Sequence, residues 1–294
     1  MRVAAAKYAI QAPASFEAFA QRLRGMFEGL AAQGVELAVL PEYLSLELAA
    51  TFGPEIASDL PASLAAIQRY RAPWLALFST LARETGIAIA AGTFLLDDGG
   101  GRYRNRADLL LPRGGHAWQD KLQLTGFEKA TGLIDGGDAL KVVDTGTARL
   151  GLAVCYDIEF PLPVRAQYEA GARLLLVPSC TDTAAGATRV QVGCLARALE
   201  NRCFVAKAVT AGEAPWSPVL DINSGEAAIY APMDGGFPAD GILARTAADA
   251  GWAIAEIAPG ALEASRAQAQ VANDRDWPGQ SLPALSRARV ERPG

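Results

Sequence analysis

Histidine is nearly absent: one residue, His116, in a chain of 294. That scarcity excludes a multi-histidine zinc site of the HExxH kind, and any Ser-His or Cys-His catalysis would have to pass through His116. Basic charge is also short. With 27 Lys and Arg against 32 Asp and Glu, the net charge is −5, so no basic field exists to attract a phosphate backbone or an anionic membrane. Nucleic acid and membrane are therefore not expected as partners. No apolar run approaches 18 residues, and the N-terminal run is broken by Lys7 and Gln11, too early for the core of a signal peptide. A cytoplasmic protein is expected. The four cysteines, Cys155, Cys180, Cys194 and Cys203, lack CxxC spacing and suggest neither a zinc ribbon nor a disulfide framework. No metal or cofactor is expected.

What is present is a globular composition, 51% hydrophobic and 20% charged, with enough apolar surface for a large core. Arg2–Ile10 reads as a strand. Phe16, Phe19, Leu23, Met26, Phe27 and Leu30 then recur at helical spacing after a Ser15 cap, and Val35–Leu40 is a second strand ending in Pro41-Glu42-Tyr43. A helix is expected over Ser63–Thr85 and a strand over Gly86–Leu95. An antiparallel meander through Asn105–Leu111 and His116–Leu122 turns at Gly114-Gly115. Ala148–Val154 is a strand ending at Cys155, Pro161–Gly171 a helix and Arg173–Pro178 a strand. Arg189–Arg202 is a helix with Val192, Leu195 and Leu199 inward, followed by the strand Cys203–Val209. One domain is expected over 1–274, with 275–294 as a tail or arm.

The alternation suggests a parallel α/β sheet, in which functional groups gather at the carboxyl ends of strands. Glu42 and Cys155 both stand at such ends. A thiol at a strand-to-helix turn lies beside main-chain N–H groups that can bind a developing oxyanion. Lysine occurs only at positions 7, 121, 129, 141 and 207 in this arginine-rich chain. Position 121 thus keeps a compact donor of tunable pKa where a bulky, permanently charged fork could have stood.

Three segments, PEY at 41–43, DKLQLTGFEK at 120–129 and GLAVCYDIEFP at 151–161, resemble the three signature motifs of the nitrilase (carbon–nitrogen hydrolase) superfamily, in that order. ARALENR at 196–202 and SGEAAIYAPMDGGFPADGIL at 224–243 resemble the later helix and strand region of that family, so the likeness covers most of the chain. It implies an αββα sandwich and a histidine-free site made of Glu42, Lys121 and Cys155. Glu42 would be the general base. Lys121 and the backbone N–H of Tyr156 would hold the oxyanion, and Cys155 would be the nucleophile that forms a thioester. Glu128 matches a second glutamate of the family, one that orients the lysine or the substrate.

CYD at 155–157 resembles the amide-hydrolysing branches, including ω-amidase-like proteins, more than true nitrilases, which carry tryptophan and glutamate after the nucleophile. A small linear carboxamide is the expected substrate, with N-carbamoyl compounds and nitriles as alternatives. Tyr43, Phe127, Glu159 and Thr181 are candidate pocket residues. Glu159 would either select amides with a distant cation or pair with an arginine such as Arg165. Leu162 and Pro163 depart from the FPE that usually follows the cysteine motif, and TDTAAGATRVQV lacks the aromatic HW-type segment of several amidase branches. Two other readings stay open: acyl transfer to another acceptor, and a catalytically quiet binding protein on the same fold. The resemblance further implies a homodimer or larger homo-oligomer, built on the helices near Cys155 and Arg189. Strand parity puts His116, Trp118 and Asp120 on the face opposite Lys121, which assigns His116 no part in the chemistry.

Overall fold

The computed structural model describes residues 1–249 and 251–292. Strand β1 (Arg2–Ala9) carries the run Val3–Ala6, small or β-branched residues buried on both faces. Helix α1 (Phe16–Ala32) starts where Ser15 accepts the Ala18 N–H, and it turns Phe19, Leu23, Phe27 and Leu30 inward. Strand β2 (Leu37–Val39) leads to a 3-10 segment, then to α2 (Pro54–Ala57), α3 (Leu60–Ile67) and α4 (Arg71–Thr85). The single helix expected over Ser63–Thr85 is thus interrupted at Gln68–Tyr70. Gln68 spans to the neighbouring strand, donating to the Leu95 carbonyl and accepting the Asp97 N–H. Pro73 meanwhile removes an N–H from the first turn of α4.

Strands β3 (Ala88–Gly99), β4 (Arg102–Leu110) and β5 (His116–Asp120) form the expected antiparallel meander. After α5 (Gly126–Thr131), β6 (Ile134–Asp135) and β7 (Val142–Asp144) come β8 (Arg149–Leu152), α6 (Pro161–Glu169), β9 (Leu174–Ser179), α7 (Ala184–Asn201) and β10 (Phe204–Ala211). The chain continues through β11 (Ala228–Tyr230), β12 (Ile242–Arg245), β13 (Gly251–Glu256) and α8 (Asn273–Asp276).

The strands run in the order β5-β4-β3-β2-β1-β10-β9-β8-β7, with β13 added to β1 and β11 and β12 added to β10. The branch is at β1. Residues Arg2–Lys7 pair with β13, whereas only Lys7–Ala9 pair with β10. Two sheets therefore diverge from the end of one strand: β13-β1-β2-β3-β4-β5, and β12-β11-β10-β9-β8-β7. Helices α1 and α4 cover the first, and α6 and α7 cover the second, which makes the αββα sandwich. Strands β9 and β10 are buried throughout, as strands covered on both faces must be.

Helix α7 differs from expectation in phase. It buries Val190, Cys194, Arg197, Ala198 and Asn201, while Val192 is 57% exposed and Leu195 and Leu199 are only half-buried. The inward stripe is partly polar, so hydrophobicity misplaced it. Inside, Arg197 donates to the Ile158 carbonyl and to Glu200, and Asn201 donates to the Arg197 carbonyl.

Helix α8 is anchored through buried Asp274, which meets Arg266 and Tyr168 and whose carbonyl accepts from Arg165. Residues 277–292 form short turns that are mostly exposed, and 293–294 of the expected tail lie outside the described residues. No helix among the described residues is long and apolar enough to cross a membrane.

Strands β3, β2, β1, β10, β9 and β8 are mutually parallel, so Glu42, Cys155 and Cys180 leave the sheets at the same end. One glycine makes that convergence possible. Gly92, at φ +72°, interrupts β3 where a Cβ would stand 2.3 Å from the Pro41 carbonyl oxygen. Gly92→Ala is expected to destabilise the fold by about 3 kcal/mol, combining overpacking with a left-handed backbone. Urea denaturation checks it, and a change below about 0.5 kcal/mol, the range of neutral surface substitutions, would contradict this packing.

Candidate active site

Glu42 follows β2 in a turn fixed from both sides. Tyr43 adopts a left-handed φ of 58°, and its N–H donates to Thr93 Oγ1 at 2.7 Å. The carboxylate is 1% exposed and fully engaged. Oε1 accepts from Lys121 Nζ at 2.9 Å and Asn105 Nδ2 at 2.8 Å, and Oε2 accepts the Cys180 N–H at 3.0 Å.

Lys121 comes directly after β5. Its N–H donates to the Asn105 carbonyl at 2.9 Å and its carbonyl accepts the Gly137 N–H at 2.7 Å, which fixes the backbone under the side chain. The ammonium, also 1% exposed, lies 2.8 Å from Glu128 Oε2 as well as beside Glu42. Glu128 is fully buried at the start of α5, in a capping box with Thr125, and its Oε1 accepts from Tyr43 Oη at 2.6 Å and Asn105 Nδ2 at 3.3 Å.

Cys155 begins a 3-10 turn, Cys155–Glu159, with φ 50°. A non-glycine residue in the left-handed region is strained and must be held by its surroundings. Asp157 holds it. This buried carboxylate accepts the N–H groups of Leu122 at 3.1 Å and Gln123 at 2.7 Å on one side, and of Val154 at 3.1 Å on the other. A single side chain thus ties the segment after Lys121 to the turn that carries Cys155. The thiol lies between the Cys180 carbonyl, 3.5 Å away, and the Glu42 carboxylate.

Electrostatics distribute the protons. Burial opposes the charge on Lys121, yet Glu42 and Glu128 outweigh it and raise its pKa, so it stays an ammonium. Burial, with Glu128 nearby, raises Glu42 above the usual glutamate range despite Lys121. Glu128 is drawn the other way: Lys121, Tyr43 and the Thr125 N–H overcome burial and lower it. Burial and Glu42 push Cys155 well up, so its resting form is the neutral thiol. Burial also pushes Cys180, Cys194 and Cys203 up to about 12. Asp157 rises to about 6 because burial outweighs its N–H donors.

The remaining sequence candidates divide. Tyr43 belongs to the cluster through Glu128. Tyr156 follows Cys155 in the first turn of the 3-10 segment, where N–H groups lack intrahelical acceptors. Phe127 is 49% exposed on α5. The Thr181 hydroxyl is occupied by the Ser224 carbonyl at 2.7 Å. Glu159 pairs with Arg189 at 3.6 Å, whereas Arg165, the partner suggested by sequence proximity, pairs with Glu169 one helical turn away. His116 meets Asp108 at 2.8 Å, a residue already held by Arg71, and makes no contact with the cluster. Asn105, Asp157, Gly92, Thr93 and Cys180 complete the arrangement and were not singled out from sequence as parts of it. Among the described residues, no three His, Cys, Asp or Glu side chains gather as metal ligands. The two glutamates converge on an ammonium instead.

Known proteins share this architecture. The family model for carbon–nitrogen hydrolase matches residues 2–267. A probable hydrolase, YhcX of Bacillus subtilis, is 30% identical over 246 residues, which are 84% of this chain and 47% of that protein. The chain thus spans about half the length of that relative. The human omega-amidase NIT2 is 25% identical over 227 residues, 69% of this chain and 78% of its own. Among solved structures, a variant of an amidase from Nesterenkonia AN1, of the nitrilase superfamily, superimposes with a TM-score of 0.66 at 23% identity, covering 94% of this chain and 97% of its own. With the family's model matched over nearly the whole sequence and a sandwich fold in place, this chain belongs to the carbon–nitrogen hydrolase family.

Proposed function

We propose that the protein hydrolyses a small linear carboxamide to a carboxylate and ammonia through a thioester on Cys155. The observation that carries this reading is the position of Lys121 Nζ, bonded at 2.9 and 2.8 Å to Glu42 and Glu128 beside a thiol that faces Glu42. An ammonium has three donors. Two are used by the carboxylates, and the third is available to an oxyanion.

In the proposed sequence, Glu42 takes the Cys155 proton as sulfur bonds to the amide carbon. The carbonyl oxygen becomes an oxyanion held by Lys121 and the Tyr156 N–H. Glu42 returns the proton to the nitrogen, the C–N bond breaks, and ammonia leaves the acyl group on sulfur. Water then gives a proton to Glu42 and attacks the thioester. The C–S bond breaks, the sulfur is reprotonated and the carboxylic acid departs. Glu128 keeps Lys121 charged and in place during the steps in which Glu42 is neutral. Burial of all four side chains excludes competing water and strengthens each interaction.

Comparison with the omega-amidase and the amidase supports an amide over a nitrile, as does the Cys155-Tyr156-Asp157 sequence. Because Arg189 compensates Glu159, selection of cationic amides by Glu159 has little support. Assembly into a homodimer is favoured by Leu162 on α6 and Val192 on α7, large apolar side chains exposed by 70% and 57%, and light scattering at working concentration tests it: a dimer mass is expected, and a monomer would refute it.

Ammonia release from a panel of short amides, carbamoyl amines and nitriles tests the activity. Amides are expected to react, Cys155→Ala to release none, and Lys121→Met to lose a factor on the order of 100 or more in kcat with its melting transition intact. A panel on which Cys155→Ala equals the parent would refute the reading. A pH profile gives a separate check. Glu42 is a base only when ionised, and its pKa is raised from 4.5, so kcat/KM should fall with falling pH at an acid limb above that value. His116→Gln should leave the limb in place, and its disappearance would contradict a histidine-free mechanism.

A further inference from the structure

Asp157 is a buried carboxylate without a cation of its own. It is 3% exposed, and among the described residues it makes no ion pair. Lys121, the cation whose field reaches it, is bonded to Glu42 and Glu128 instead. The carboxylate meets backbone N–H groups only: Oδ1 accepts from Leu122 at 3.1 Å and Gln123 at 2.7 Å, and Oδ2 accepts from Leu122 and Val154, each at 3.1 Å. A charge kept inside on neutral donors alone is costly, so what those donors belong to matters.

They belong to two segments. Leu122 and Gln123 directly follow Lys121, and Val154 directly precedes Cys155 and Tyr156. Among the described residues, no other hydrogen bond joins 121–125 to 153–159. The turn is closed in both directions, because the Asp157 N–H donates to the Val154 carbonyl at 3.0 Å while Val154 donates back to the side chain. The two groups assigned above to the oxyanion, Lys121 Nζ and the Tyr156 N–H, therefore lie one on each side of a single carboxylate. Stabilisation of an oxyanion depends on donors held in advance at the right separation.

A carboxylate only accepts, whereas a carboxylic acid carries an O–H donor. A proton on Oδ2 would set that donor against the Val154 N–H, and a proton on Oδ1 would set it against Gln123. Either way one of the two segments is released. Burial has already pushed the Asp157 pKa up to about 6, which brings this release to mildly acid pH. The charges around the turn are otherwise compensated: Glu159 pairs with Arg189, Arg197 of α7 pairs with Glu200, and Cys155 rests as a neutral thiol.

We propose that Asp157 is a positioning residue whose ionised carboxylate holds the two oxyanion donors at their working separation, and that a proton on it switches the enzyme off. This deepens the thioester reading above and rests on it. The acid side of the pH profile then carries two protons, one on Glu42 and one on Asp157.

Nitrogen-15 NMR of Cys155→Ala follows the clamp without catalysis. The amide signals of Leu122, Gln123 and Val154 should move together with a midpoint near pH 6, and adding Asp157→Asn should abolish that movement. In the active enzyme at about pH 8, Asp157→Asn should lower kcat on the order of 10–100-fold, with KM changed less than about threefold. Its acid limb should carry one proton where the parent's carries two, and Asp157→Glu, which restores the charge, should regain part of the lost kcat. Unfolding curves separate a folded, slow Asp157→Asn enzyme from a destabilised one; if that variant does not fold, the titration of the three amides in Cys155→Ala decides. Three amide signals that stay fixed as pH falls from about 8 to about 5, across the range in which a raised carboxyl group titrates, would overturn the clamp, as would a folded Asp157→Asn enzyme with the parent's kcat. Ammonia release that survives Cys155→Ala would instead overturn the thioester reading, leaving the amide titration to decide the clamp.

Discussion

The arrangement depends on one buried ammonium shared by two buried carboxylates. With Glu42 as its single partner, Lys121 at 1% exposure would be left as an uncompensated charge in a low-dielectric interior whenever Glu42 was protonated. Glu128 removes that difficulty. Asn105 reinforces the pair by donating to both carboxylates while its carbonyl accepts the Lys121 N–H. One side chain and one peptide unit thereby set the spacing of three charges.

The fold supplies what the ion pairs cannot, namely the approach of segments from two different sheets. Glu42 leaves β2 in the first sheet, and Cys155 and Cys180 leave β8 and β9 in the second. Parallel strands on both sides of the branch at β1 bring these ends together. Backbone strain is concentrated there: Tyr43 and Cys155 both have positive φ, and Gly92 allows the Pro41 carbonyl to pass within a distance no Cβ would permit. Asp157 then links the Lys121 segment to the Cys155 turn through backbone N–H groups on both sides.

Much of this was legible in the sequence, for physical reasons. The apolar runs at β1, β8, β9 and β10 had no alternative to burial, the Ser15 cap fixed the start of α1, and three short motifs in order named Glu42, Lys121, Cys155 and Glu128 before any distance was known. What escaped was long-range and polar. Asn105 looks like an ordinary strand residue until β4 is paired with β5. Gly92 carries no signal in an apolar run, because its value lies in a contact with a segment fifty residues away. The phase of α7 was misjudged because Arg197 and Asn201 point inward, and the partner of Glu159 because Arg189 comes near only after α7 folds over the Cys155 turn.

The central claim is that the reaction passes through Cys155 as a thioester formed beside Lys121. Rapid quenching of a turnover mixture, with the amide that releases ammonia fastest, followed by proteolysis and mass measurement of the Cys155 peptide tests it most directly. An acyl group on that peptide, appearing with the first equivalent of ammonia and decaying as carboxylate accumulates, is the predicted result. Full turnover with Cys155 unmodified at every time point, or an acyl group on Cys180 instead, would contradict it.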